Sequence, residues 1–294
     1  MFGPDLLART LSTPTRGTGR GFQYERSWQY HSRSDRHSKV ACWGVVLDLL
    51  IACPTLRSHA TAGLVGLGIN HEMRDFRNNK KKNLDLVVCR AGPKAMGGSK
   101  GGEQSASNFR ELAKVYGIEL TLDEAAALDK LPDFPIVGVS TVFLAIEAKA
   151  AMTAHLKARP RLKDELTGSF QTIHGDNDHA IAAGLVMVNV ADEFVSPDKN
   201  KHPVGERPEV VSQHRQPRDA ELVISGLREL QRRSRVGDAG FDALGVVVVD
   251  CKNDGTPVRV ISARSPAPSQ EDDFDYTRFI ERMAHLYSTR FSAI

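Results

Sequence analysis

The middle of the chain carries the stretch Val142-Phe143-Leu144-Ala145-Ile146-Glu147-Ala148-Lys149, in which an apolar run leads directly into an acid and a base. A short run rich in β-branched and aromatic residues is typical of a buried strand. Because side chains alternate along a strand, Glu147 and Lys149 share one face. Charged groups beside a buried run are costly unless they pair, bind a metal or take part in chemistry. The stretch therefore predicts a central strand that ends in a polar site.

A second apolar strand with one embedded acid lies upstream, at Leu84-Asp85-Leu86-Val87-Val88. If the two strands are neighbours in one sheet, Asp85, Glu147 and Lys149 meet at one point. Two acids can hold a hard metal ion, and a lysine can stabilise charge on a phosphate. The two strands together therefore predict a metal-dependent site for phosphodiester chemistry.

Hydrophobic periodicity and turn signals along the rest of the chain predict helices and strands in alternation. Their order indicates an α/β fold with a mixed central β-sheet flanked by helices. Thr121 and Glu124 have the spacing of a capping box, and Pro160 is expected in the first turn of its helix. The predicted helices are 40–54, 58–76, 106–116, 121–130, 160–172, 217–235 and 273–290. The predicted strands are 84–90, 136–139, 141–149, 184–191, 244–250 and 257–262, with 136–139 as the hairpin partner of 141–149.

Composition divides the chain into three parts. Residues 1–39 are rich in Arg, Ser, Thr and Gly and lack apolar periodicity, which predicts a basic, disordered arm. Residues 40–194 hold the predicted core, with an insertion at 91–135 that begins with a flexible Gly-rich loop at 91–103. A long polar stretch then introduces residues 195–294, which we expect to form a C-terminal α/β extension packed on the core.

The overall composition is ordinary for a globular protein of 294 residues, with 41% hydrophobic residues, 26% charged residues and a formal net charge of only +3. Four scattered cysteines without CxxC spacing argue against a zinc site or a disulfide framework and favour a reducing compartment. The apolar run from Val40 to Cys53 is too short to span a bilayer and contains Asp48. We therefore expect a soluble, cytoplasmic protein without a membrane partner.

The arrangement over residues 72–191 resembles the PD-(D/E)XK superfamily, the restriction-endonuclease-like nucleases. In that family an Asp on one strand and Glu-x-Lys on the next meet at a bend in the sheet. The resemblance implies a restriction-endonuclease-like core in which Asp85 and Glu147 bind Mg²⁺, with the backbone carbonyl of Ala148 as a further ligand. It also implies that Lys149 stabilises developing charge and positions or deprotonates the attacking water. The implied activity is that of a DNA endonuclease similar to type II restriction enzymes.

Parts of this assignment have alternatives. A literal Pro132-Asp133 lies closer in sequence to Glu147 than Asp85 does, but its two flanking prolines are typical of a turn. We prefer Asp85, because it is embedded in a β-branched strand. The superfamily often adds a Glu from the preceding helix; Glu72 is the candidate, although it also fits a solvated helix residue. The less favoured alternative for Glu147 and Lys149 is an ordinary ion pair, because the five residues before them have the pattern of a buried strand.

Basic residues flank the proposed acids on both sides, as a polyanionic substrate requires. Lys80, Lys81 and Lys82 precede Asp85. The residues that follow Glu147 and are expected to line a DNA track are Lys157, Arg159, Arg161 and Lys163. An enzyme that cuts a palindrome is expected to be a symmetric homodimer. The alternatives are a structure-directed repair or recombination nuclease and a non-catalytic nucleic-acid-binding protein that keeps the fold.

Overall fold

The computed structural model of the protein describes residues 1–17, 24–92 and 105–294. Within these residues the strands are β1 (Val65–Asp75), β2 (Lys80–Arg90), β3 (Val142–Ala151), β4 (Ile181–Asn189), β5 (Glu193–Val195), β6 (Val211–Gln213), β7 (Ala243–Asp250) and β8 (Arg259–Ile261). The helices are α1 (Gly3–Ser12), α2 (Arg36–Ala52), α3 (Pro54–Thr61), α4 (Phe109–Val115), α5 (Leu122–Asp129), α6 (His155–Asp176), α7 (Arg218–Arg228) and α8 (Tyr276–Arg290).

Six of these strands form one mixed sheet in the order β1-β2-β3-β4-β7-β8. The first three run as an antiparallel meander, and α6 then leads to β4, which lies parallel to β3. β7 is parallel to β4, and β8 pairs antiparallel with β7 at the edge. The short strands β5 and β6 pair only with each other. This architecture confirms the predicted α/β class with a mixed sheet flanked by helices.

Helices cover both faces of the sheet. On one face α1, α2 and α8 share a core in which Trp43 and Tyr287 are fully buried. On the other face α6 and α7 contribute Phe170 and Val223 to a second core. Strands that are buried on both sides are nearly continuous in apolar residues, which is the pattern of β3, β4 and β7.

The sheet continues across the boundary expected near residue 195. β7 lies beside β4, with Val246 opposite Val186, and α8 packs into the same core as α2. The C-terminal region therefore supplies strands to the main sheet and is not an extension on its outside. Parallel strands are joined by long crossover connections, so neighbours in a sheet can be far apart in sequence.

The expectation of a disordered arm over 1–39 was wrong for its first residues. Asp48 of α2 accepts a hydrogen bond from the amide of Gly3 at 2.7 Å, which ties the start of α1 to the core. The basic composition of the arm, averaged over its length, hid the apolar face of one short helix. Residues 18–23, and most of the Gly-rich loop expected at 91–103, lie outside the described residues. The buried leucines of α1 are Leu6, Leu7 and Leu11.

The helix predicted at 58–76 was also wrong, because α3 ends and β1 begins within that range. A Cβ atom on Gly66 would lie 2.6 Å from Val137, so the glycine admits a close approach of two backbones. Val137 N donates to the Leu67 carbonyl at 2.9 Å. The segment 136–139 therefore pairs with β1 and is not the hairpin partner of β3.

The other predicted helices are present with altered ends. Both hydrogen bonds of the Thr121–Glu124 capping box are formed at the start of α5. α6 begins earlier than expected, at His155, so that Pro160 lies inside the helix and not in its first turn. No single helix of the described ranges is long and apolar enough to cross a membrane. Within the described ranges, α2 and α3 are long and apolar enough when taken together, but they are bent by 97°.

Candidate active site

Strands β2 and β3 separate at the predicted acids. Their backbone pairing ends with Leu86 opposite Ile146, so the next facing position joins Asp85 and Glu147. The amide of Ala148 donates to Asp85 Oδ2 at 2.9 Å. Through this bond the Asp85 side chain fastens β3 at the point where the backbone ladder stops. The result is an open fork, defined by Asp85 on one side and residues 147–149 on the other.

Asp85 is half-buried and has an unusual affinity for protons. Burial, followed by the negative charge of Glu147, raises the pKa of Asp85 from 3.8 to about 6. Hydrogen bonds act in the opposite direction: one comes from Ala148, and the other from Ser38 of α2, whose Oγ lies 3.0 Å from Asp85 Oδ1. Two neighbouring carboxylates gain from a cation between them. Asp85 and Glu147 therefore form a pair suited to binding one.

The two carboxylate oxygens of Glu147 have different surroundings, although the residue is only 1% exposed. Oε1 lies 2.6 Å from Lys149 Nζ and 3.6 Å from Lys82 Nζ. Oε2 has no hydrogen-bond partner among the described residues. Leaving a buried carboxylate oxygen without a donor costs free energy, and such an atom calls for an explanation such as an ion. Oε2 is therefore an available ligand position at the fork.

These donors fit magnesium and do not fit a structural zinc ion. The part of the chain that the structure describes contains no group of three or more His, Cys, Asp or Glu side chains that could hold a metal. Structural zinc needs four such ligands, whereas Mg²⁺ uses one or two carboxylates and completes its shell with water and substrate phosphate. Asp85 and Glu147 supply two hard carboxylates, and Glu147 Oε2 is buried without a partner.

Lys149 is held in its charged form. Burial by itself would lower the pKa of Lys149, but the charge and the hydrogen bond of Glu147 outweigh it, so the pKa lies above its usual value. The side chain is 26% exposed, and Glu165 Oε2 of α6 lies 3.9 Å from Nζ. A permanently charged ammonium can bind phosphate oxygens but is a poor general base.

A cavity of about 340 Å³ opens beside the fork. Asp85, Ala148 and Lys149 border it on the sheet side, and α6 and residues 30–38 form its other walls. Sequence reasoning missed the wall at 30–38 because those residues were expected to be disordered. The residues of the site that it did not identify are Tyr30, His37, Ser38 and Glu165.

His37 and Lys82 modify the charge of the site. Burial, followed by the charge of Lys149, lowers the pKa of His37 to about 4, so His37 is neutral near pH 7. Lys82 is within ion-pair distance of Glu147 and donates to the Glu165 carbonyl at 2.6 Å. In the sequence, Lys82 was indicated by the run of three lysines before Asp85, whereas nothing distinguished His37.

The structure does not bring Glu72 or Asp133 to the fork. Glu72 lies on β1 instead of a helix, is exposed, and pairs with Lys81 at 2.7 Å. Asp133 is exposed on the segment before residues 136–139. Neither residue borders the cavity. Asp85 is therefore the acid that the fold places beside Glu147.

The four basic residues expected to form one DNA track point in different directions. Arg161 borders the cavity and lies 3.4 Å from Glu165. Arg159 and Lys163 instead bind Glu229 beyond the end of α7, at 2.9 and 2.8 Å. Helical geometry places Lys157 on the same side as Arg161, and Lys157 is exposed. The four residues therefore divide between two sides of α6, because residues two apart on a helix do not share a face.

Comparison of the chain with protein-family models, with curated proteins and with solved structures finds no match in any of the three. The geometry of the site therefore carries the functional conclusion.

Proposed function

We propose that this protein is a Mg²⁺-dependent DNA endonuclease of the PD-(D/E)XK type. The observation that carries the proposal is the meeting of Asp85, Glu147 and Lys149 at a fork between neighbouring strands, with one buried Glu147 oxygen left without a donor. This placement agrees with what the resemblance implies, an Asp on one strand and Glu-x-Lys on the next. The adjoining cavity is large enough for a phosphate group and its water.

The roles of the residues follow from their charges. Asp85 and Glu147 would hold Mg²⁺, with the backbone of Ala148 beside them. When bound, Mg²⁺ polarises a phosphoryl oxygen and lowers the pKa of a coordinated water. Lys149 would donate hydrogen bonds to the phosphoryl oxygens as negative charge builds on them. The raised pKa of Lys149 favours this role over that of a general base.

The surroundings of the fork support a polyanionic substrate. Two carboxylates alone would repel a phosphodiester, but Lys82 of β2 lies 3.6 Å from Glu147, Arg161 of α6 borders the cavity, and the exposed Lys157 lies one helical turn from Arg161. Phosphate contacts of this kind supply most of the non-specific affinity for DNA. We include in the proposal a symmetric homodimer, the assembly with which an enzyme cuts both strands of a palindrome. Light scattering after size-exclusion chromatography measures that state directly.

Cleavage of supercoiled and linear DNA with Mg²⁺, with and without EDTA, tests the proposal. The wild type is expected to cut, and Glu147→Gln and Lys149→Ala are expected to lose cutting while they keep binding DNA. Glu72→Gln is the matched control, because it removes the same charge from an exposed acid on β1, away from the fork. Discrete bands would indicate a restriction-type enzyme, and a preference for branched DNA a structure-directed one. Folded protein that binds DNA and never cuts it, or Glu147→Gln that cuts normally, would refute the proposal.

A further inference from the structure

The turn that joins β1 to β2 presents an exposed aromatic ring among basic side chains. Phe76 is 68% exposed, although large apolar residues of a stable fold are usually buried. The guanidinium of Arg74 lies 5.6 Å from the centre of its ring. We call residues 74–81 the hairpin tip. Its exposed basic residues are Arg74, Arg77, Lys80 and Lys81.

The hairpin tip is held in a defined shape. The buried Asp75 accepts hydrogen bonds from the amides of Arg77 at 2.9 Å and Asn78 at 3.2 Å, and from the Asn78 side chain at 2.8 Å. A Cβ atom on Gly175 of α6 would lie 2.3 Å from Asp75, so helix and tip are in close contact. The ring of Phe76 is therefore presented by a braced turn.

The same strand links the hairpin tip to the fork. Lys82 follows the tip directly on β2 and reaches Glu147, and Asp85 comes next among the charged residues of that strand. Strand geometry places Lys80 about 17 Å from Asp85, which is roughly the axial length of five base pairs of DNA. One duplex segment can thus reach both places.

We propose that the hairpin tip is a second DNA contact, in which Phe76 stacks on a base while Arg74, Arg77 and Lys80 contact phosphates. This inference deepens the proposed function and rests on it for the identity of the nucleic acid. An exposed ring beside cations is the combination that binds bases and backbone together. Apolar wedges are used in the same way between the base pairs of a duplex. Lys81 contributes less, because Glu72 already neutralises it.

Fluorescence anisotropy with a short labelled duplex, and with its single strand, tests the inference in EDTA, where no cutting occurs. Phe76→Ala is expected to weaken binding about fivefold or more, the factor for loss of one stacked base. The double change Arg77→Ala and Lys80→Ala is expected to lower the slope of log affinity against log salt by about 1.8 on duplex DNA. If Phe76→Ala weakens binding to the single strand alone, Phe76 stacks on an unpaired base. If it weakens binding to the duplex as well, Phe76 acts as a wedge between base pairs.

Matched controls lie on α4 and at the two ends of α5, and both helices pack into the core that contains Trp43. Leu122→Ala removes another exposed apolar side chain, and Lys114→Ala with Lys130→Ala removes two exposed cations. Both controls are expected to bind as the wild type does, and all variants to keep the wild-type melting curve. Normal binding by the hairpin-tip variants, or no DNA binding by the wild type, would overturn the inference.

A cleavage assay with Mg²⁺ in parallel separates this inference from the nuclease proposal. If the wild-type protein cuts DNA and the hairpin-tip variants bind DNA normally, the second contact is refuted and the nuclease proposal stands. If the wild-type protein binds DNA through the hairpin tip and never cuts it, the nuclease proposal is refuted and the second contact stands.

Discussion

Replacement of Asp85 by Asn is expected to stabilise the metal-free protein while it abolishes cleavage. Burial and the charge of Glu147 raise the pKa of Asp85 from 3.8 to about 6, so the ionised carboxylate is less favourable in the fold than in the unfolded chain. Each unit of difference between the folded and the unfolded pKa is worth about 1.4 kcal/mol. The ionised Asp85 therefore lowers the free energy of unfolding by about 3 kcal/mol at neutral pH. Asn carries no charge and keeps an oxygen that can accept from the Ala148 amide.

The gain from Asp85→Asn depends on pH in a defined direction. A carboxyl group with a raised pKa stabilises the fold below its unfolded pKa, and that contribution is lost as the pH rises through the folded pKa. The advantage of the variant over the wild type is therefore expected to be complete above about pH 6, to shrink between pH 6 and 3.8, and to be nearly absent below. Under the proposed function Mg²⁺ is expected to act oppositely, because it would bind and stabilise only the wild-type site.

Urea-induced unfolding at a series of pH values measures the free energy of unfolding. Asp35→Asn is the matched control: it neutralises an acid at the same cavity that is 62% exposed, and its effect is expected to stay within about 0.5 kcal/mol. A loss of stability in Asp85→Asn at neutral pH, or a gain of the same size at every pH, would refute the reasoning. Either result would show that burial and the charge of Glu147 do not destabilise the ionised Asp85 carboxylate.

Other contacts provide three further expectations. Asp242→Asn should lower the free energy of unfolding at neutral pH by about 3–5 kcal/mol, because Arg290 and Arg233, whose side chain is 0% exposed, each lose a charged partner, although Asp178 remains beside Arg233. Burial would raise the pKa of Asp242, but hydrogen bonds from His174, Arg290 and Arg233 hold it well below its usual range. The stability it contributes is thus present above the unfolded pKa and lost in acid, and equal stabilities of variant and wild type at neutral pH would contradict this. Gly68→Ala should cost about 1–3 kcal/mol in urea unfolding, since its Cβ would lie 2.2 Å from Val139, and an unchanged midpoint would disprove the close approach. Arg161→Ala should reduce the salt slope of DNA binding by about 0.9, because Arg161 borders the cavity, whereas Arg159→Ala should not, because Arg159 is turned to Glu229 at the end of α7; equal slopes in the two variants would exclude this division of α6.

The sequence by itself determined which charged residues lie at the fork. A buried strand requires an unbroken apolar run, so each charged residue that interrupts or ends one is visible in the chain. Asp85 on β2 and Glu147 and Lys149 on β3 were identified in this way, and both strands lie where the pattern predicted them. The capping box of α5 was equally legible, because its two hydrogen bonds join residues three apart.

Only the tertiary structure decided which groups meet. Asp85 lies beside Glu147 because β2 pairs with β3, and no local period encodes pairing between distant segments. The wall of the cavity at residues 30–38 is ordered because the Asn253 side chain accepts from the amide of Tyr30 at 2.9 Å. Glu72 is on a strand because β1 pairs with β2, which places Glu72 opposite Asn83. In each case contacts between residues far apart in sequence outweigh the local preference, since burial and backbone pairing contribute more free energy than helix propensity does.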